Sequence, residues 1–189
     1  GYTMINNEDL INSGGTSGGG FPGGCKFFGT CVTTKKFTFF IDVSGSMRSQ
    51  YSPGKTLMDE AKEQLTSLIE AIPVNDDYYL NVYKYGNYAT PVFPRPLSVT
   101  PSVKKQAKDF VAALRAEGWT NPFQGLSQGI QEEHVEQMII LSDGVTYDVG
   151  TCFHNSQTMK FADCFASYNA KIRDRHPSIP HYKTPVSVN

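Results

Sequence analysis

The chain alternates short apolar runs with stretches of helical spacing. Residues 37–41, Phe-Thr-Phe-Phe-Ile, form a nearly continuous apolar run of aromatic and branched side chains. That pattern suits a parallel strand buried on both faces of a sheet. In the stretch 56–72, Leu57, Ala61, Leu65, Leu68, Ile69 and Ile72 recur at helical spacing. Thr56 with Asp59 three residues on makes a capping box, and Pro73 marks the stop. Residues 78–85 read as a strand with a shorter neighbour at 90–93, joined through Tyr85-Gly86-Asn87 as an antiparallel hairpin. Thr100-Pro101 opens a second helix as N-cap and first position, with Val103, Ala107, Phe110 and Leu114 on one face and Gly118 at its stop.

Asn121-Pro122 starts another helix running to about Glu133, with Phe123, Leu126 and Ile130 inward. Residues 137–142 are the second buried strand. Residues 158–173 form a last amphipathic helix through Phe161, Phe165, Tyr168 and Ile172. The stretch 185–189 reads as the start of a strand, expected beyond the strand that ends at Asp143. Strands alternating with helices, plus one hairpin, predict an α/β domain: a doubly wound, mostly parallel central sheet flanked by helices.

Residues 1–35 lack this periodicity. They are polar, then glycine-rich around Ser13-Gly14-Gly15-Thr16-Ser17-Gly18-Gly19-Gly20, which predicts an arm or linker ending in a small cysteine loop at 23–31. Gly15-Thr16-Ser17-Gly18-Gly19 formally matches a nucleophile elbow. No strand precedes it and no helix follows, so the match is discounted. The organised domain is expected over 36–189.

Composition narrows the class. A chain of 189 residues with 39% hydrophobic and 19% charged residues fits one globular domain. A net charge of −1 without a basic cluster gives no footprint for nucleic acid. No apolar run is long enough to span a membrane. The first residue, Gly1, and the absence of a leader pattern suggest a piece of a longer protein or assembly. Cys25, Cys31, Cys152 and Cys164 match no zinc spacing and form no C-x-x-C pair. Disulfides in an extracytoplasmic compartment are the better reading. Local pairs, Cys25 with Cys31 and Cys152 with Cys164, need the least rearrangement, although Cys25 or Cys31 could reach the 152–164 region instead.

The candidate chemistry follows the first buried strand. Asp42, Ser44 and Ser46 alternate with Val43 and Gly45, placing a carboxylate and two hydroxyls at a strand's carboxyl end, where open α/β sheets bind ligands. Oxygen-only donors suit a hard cation such as Mg²⁺. Two further pieces follow in order: Gly118-Trp119-Thr120-Asn121, and Met138-Ile139-Ile140-Leu141-Ser142-Asp143-Gly144. Asp-x-Ser-x-Ser, then the threonine turn, then an aspartate ending a second buried strand, resembles the metal-ion-dependent adhesion site (MIDAS) of von Willebrand factor A domains. The resemblance implies that Ser44, Ser46 and Thr120 coordinate directly, while Asp42 and Asp143 act partly through water. It implies Mg²⁺ (or Mn²⁺ or Ca²⁺) as cofactor and a partner carboxylate from Asp or Glu as ligand. It also implies that the family's last strand and helix are lacking from this chain. The bland alternative is that the hydroxyls cap helices and the carboxylates serve turns.

Trp119 departs from the glycine common at its place in the family; packing over the next helix start is the plainer reading, and an aromatic rim for the ligand is the functional one. His134, His154, His176 and His181 have no ligand spacing and read as surface residues. Function is expected to be metal-dependent protein binding, in adhesion or surface assembly, without catalysis. The alternative is an intracellular accessory subunit of an ATPase or chelatase-type complex, which reduced cysteines would favour. A hydrolase would need a general base that the motif segments lack, and no P-loop is present.

Overall fold

The computed structural model describes residues 2–4, 21–24, 31, 32, 34–119, 137–141, 153, 154, 157 and 158. Its centre is strand β2 (Lys36–Asp42), flanked in parallel by β5 (Asn75–Tyr85) and β8 (Gln137–Leu141). Strand β1 (Tyr2–Met4) adds in parallel outside β8, and β6 (Ala89–Pro91) adds antiparallel to β5, giving the order β1-β8-β2-β5-β6. A further strand, β7 (Leu97–Val99), pairs antiparallel with the first part of β5. Short pairs β3 (Gln50–Ser52) with β4 (Lys55–Thr56), and β9 (Phe153–His154) with β10 (Gln157–Thr158), lie apart from this sheet. The sheet is mixed but parallel at its core, as the alternation of strands and helices predicts.

Strand β2 owes its central place to residues that suit both faces of a sheet. Phe37, Phe39 and Ile41 join the main core, while Thr38, Phe40 and Asp42 alternate to the other face and are equally enclosed. On that second face Phe40 stacks on Tyr83 with ring centroids 4.8 Å apart.

Helix α1 (Leu57–Ala71) and helix α2 (Pro101–Ala112) pack together beside the sheet. Leu65, Leu68 and Ile69 are wholly enclosed, and burial of each contributes about 1.5–3 kcal/mol. The expected capping box exists: Thr56 Oγ1 accepts from Asp59 N at 3.1 Å, and Asp59 Oδ2 accepts from Thr56 N at 2.9 Å. Thr56→Ala should lower stability by about 1 kcal/mol in urea unfolding at neutral pH. The backbone and side-chain hydrogen bonds from Thr56 hold the Asp59 carboxyl below its ordinary value. A depressed folded value stabilises at neutral pH, and that contribution fades as pH falls through it.

Helix α2 begins as expected, Thr100 Oγ1 accepting from Val103 N at 3.1 Å before Pro101. It ends sooner, at Ala112. Gly118 is therefore not its stop: it lies six residues beyond, in a left-handed conformation of its own, with φ 78°.

Described residues among the first 35 join the sheet and the core. Tyr2–Met4 occupies the outer flank of β8, the position expected for residues 185–189, which lie outside the described residues. Phe21 packs against Phe37 and Tyr78 (centroids 6.1 and 5.9 Å), and Val32 is buried in the same core. Gln137 Nε2 donates to Cys31 O at 3.2 Å, tying this segment to the start of β8. Cys31 is disulfide-bonded. Cys25, Cys152 and Cys164 lie outside the described residues, as do the helices expected at 121–133 and 158–173.

Candidate functional site

The chain leaves β2 at Asp42 and turns through Val43 and Ser44 into a single 3-10 turn, Gly45–Arg48. The Asp42 carboxylate is fully buried, and its Oδ1 accepts from Ser44 N at 2.7 Å. To this extent the turn-stabilising role is real. Its Oδ2 is buried too, and among the described residues no donor reaches that oxygen. The two serines behave otherwise. Ser44 stands at the N-cap of the turn but makes no side-chain capping bond. Its Oγ lies 2.9 Å from Ser46 Oγ instead. Capping thus does not account for Ser44, and two hydroxyls are held together next to a buried carboxylate.

The second motif segment docks directly onto this loop. Glu117 N donates to Val43 O at 2.7 Å, and Gly45 N donates to Gly118 O at 3.1 Å. Arg48 Nε donates to Ala116 O at 2.9 Å. Residues 116–118 therefore run alongside the Asp42–Ser46 loop, and Thr120 follows two residues after Gly118. Thr120, Ser142 and Asp143 themselves lie outside the described residues. The strand leading to Asp143 is nonetheless fixed at its end, where the buried Tyr85 hydroxyl donates to Leu141 O. Strands β2 and β8 run parallel with Ile41 opposite Leu141, so both strands end at the same side of the sheet.

One contributor went unread in the sequence. Asn87, in the turn between β5 and β6, accepts from Trp119 N through Oδ1 at 2.7 Å. The same oxygen faces Gly118, where a Cβ would come within 2.8 Å of it. Gly86 beneath is buried against Trp119 O and Val43, each 3.3 Å from where its Cβ would stand. Asn87 was legible only as a turn residue, because its partner is 32 positions away. Asn87→Ala should weaken the hold on the 117–119 segment by about 1 kcal/mol. Hydrogen exchange at the Trp119 amide should quicken severalfold, and unchanged exchange would show that this bond does not restrain the segment. The Trp119 side chain is 66% exposed.

The donor set fits a hard divalent cation: a buried carboxylate and two hydroxyls, all oxygen, at a strand's carboxyl end. Among the described residues, no three His, Cys, Asp or Glu side chains gather into a metal-type cluster. His154 falls in β9, and the other three histidines lie outside the described residues.

Fold and sequence together place the protein in a class. The family model for the von Willebrand factor type A domain matches residues 36–163, and the chain belongs to that family. It is 30% identical over 128 residues to inter-alpha-trypsin inhibitor heavy chain H3 of Mus musculus, and 29% identical over 128 residues to that of Homo sapiens. Each match covers 61% of this chain and 14% of the relative, so the chain spans about a seventh of their length. A solved structure, a von Willebrand factor type A protein from Catenulispora acidiphila, aligns with a TM-score of 0.53 at 24% identity. It covers 71% of this chain and 29% of that one, a likeness of fold. Among the described residues, no helix is long and apolar enough to cross a membrane.

Proposed function

We propose that this domain is a protein-binding module that grips an acidic side chain of its partner through a divalent cation held by Asp42, Ser44, Ser46, Thr120 and Asp143. The observation that carries this reading is the pair of serine hydroxyls 2.9 Å apart, diverted from capping and set beside a buried carboxylate. Neutral hydroxyls are weak neutralisers, so a bound Mg²⁺ would keep affinity for one more anion, the partner's carboxylate.

The chain's own residues supply orientation. Asp42 shapes the loop through Ser44 N, and Gly45 and Val43 anchor the segment that leads to Thr120. We read the site as a clamp and not a reaction centre, since no histidine stands in the motif segments and Asp42 and Asp143 are assigned to the cation. Setting is proposed as extracytoplasmic, in adhesion or surface assembly within a larger protein. The similarity to inter-alpha-trypsin inhibitor heavy chains and a disulfide at Cys31 support that setting.

Calorimetry with Mg²⁺ tests the metal directly. Binding of an acidic partner should vanish in chelator while the domain remains folded. Partner binding at full strength in chelator would sink the reading.

A further inference from the structure

Beside the Asp42 loop lies a cavity of about 510 Å³, between the β5–β6 turn and residues 113–118. It borders the proposed metal site through Val43, within the Asp42–Ser46 loop, and Gly118, whose carbonyl accepts from Gly45 N. We propose that this cavity is a second subsite, taking a further acidic side chain from a partner polypeptide whose first carboxylate is held at the Asp42 loop. The proposal rests on the metal-dependent reading above and adds the partner's chemistry to it.

The cavity gathers two cations on one concave surface. Lys84 and Arg115 both line it, and among the described residues neither forms an ion pair. Elsewhere Lys35, Lys55, Lys105 and Lys108 are each matched with a carboxylate, and Arg48, Lys62 and Lys104, which form no ion pair among the described residues either, donate to backbone carbonyls. The Lys84 ammonium lies 5.9 Å over the Phe110 ring, which steadies its stem without neutralising it. Two cations left unmatched on one concave surface are complementary to an anion.

Glu117 lines the same cavity, so an unbroken run of acidic residues is disfavoured. The fit is to one additional acid separated from the first by neutral residues, whose backbone N–H groups Glu117 could accept. A cavity of this size lies within the range that accommodates small ligands and holds more than a single side chain.

The rim is preformed. Tyr88 and Trp119 are 75% and 66% exposed, flanking aromatic surface of the kind favoured at interface centres. The Asn87–Trp119 hydrogen bond ties the two sides of the mouth together, which lowers the ordering cost of binding.

The test uses an array of end-capped hexapeptides with one Asp fixed and every other position varied, probed with the whole chain in Mg²⁺ and in chelator. A second preferred Asp or Glu should emerge in Mg²⁺. Arg115→Glu should reduce that selection about tenfold through like-charge repulsion. Lys84→Met should reduce it less, since Met keeps an apolar stem over Phe110. Mg²⁺ binding is followed by calorimetry in each variant. Capture that needs Mg²⁺ but shows no second acid, or one indifferent to Arg115→Glu, overturns the subsite and leaves the metal reading standing. Acid selection that survives chelator yet falls in Arg115→Glu supports the subsite and overturns the metal reading. Absence of capture in both conditions overturns both.

Discussion

Asp42→Asn is expected to lose about 10- to 100-fold in Mg²⁺ affinity, the usual loss when a carboxylate supporting a metal through its outer shell is removed. The amide keeps an Oδ1 acceptor for the Ser44 N–H now bonded at 2.7 Å. The turn should therefore persist while the charge opposing the cation disappears. Asp42→Ala should lose as much metal affinity and also leave the Ser44 N–H without its acceptor in a buried loop, at a cost of about 1–3 kcal/mol. Comparing the two variants separates charge from shape. In the wild type, Mg²⁺ at a hundred times its dissociation constant should add about 2.7 kcal/mol to unfolding stability, and chelator should remove it. At the same Mg²⁺ concentration both Asp42 variants should keep only about 0.4–1.4 kcal/mol of that increment. If Asp42→Asn binds Mg²⁺ as tightly as the wild type, the carboxylate serves the turn alone and the metal assignment fails.

Gly118→Val should be the most damaging single change in the loop beside it. With φ at 78°, Gly118 sits where a β-branched residue is a genuine outlier, and holding a side chain there costs about 1–3 kcal/mol. Its Cβ would also stand 2.8 Å from Asn87 Oδ1, closer than these atoms tolerate. Relief requires Asn87 to swing away, which gives up its bond to Trp119 N and about 1 kcal/mol more. A loss of about 2–4 kcal/mol in urea unfolding is expected from these two terms together. Metal affinity should fall as well, because the displaced segment leads directly to Thr120. Gly45→Ala is the control. Among the described residues a Cβ there would meet only Gly118 O, at an ordinary 3.7 Å, so little should change. Equal stability of the two variants would show that the Gly118 conformation is not held by Asn87.

How far the sequence reached depends on the distance over which each signal acts. The apolar run 37–41, the Thr56–Asp59 box and the Thr100-Pro101 start are local, set by side chains within four residues of one another. They produce β2, α1 and the opening of α2 where expected. Asp42, Ser44 and Ser46 are legible for the same reason, as a loop following a buried strand. Strand β7 was missed, since Leu97–Val99 is too short to show a period and takes its shape from pairing with β5.

Other features exist only through distant contacts. Which segment covers the outer side of β8 is settled by pairing across more than 130 residues, and it is Tyr2–Met4. Phe21 and Val32 looked like parts of an arm, because nothing near them reveals that Phe37, Tyr78 and Gln137 lie within reach. Gly118 resembled a helix stop, yet its positive φ answers to Asn87 on another strand connection. Ser44 is the sharpest case. A serine before a turn has two uses for its hydroxyl, capping or ligation, and local sequence favours neither. In the folded chain the hydroxyl turns to Ser46, while the neighbouring backbone groups of Val43 and Gly45 engage Glu117 and Gly118. Residue types thus specified the candidate donors, and the packing of separate loops at one end of the sheet decided which way they face.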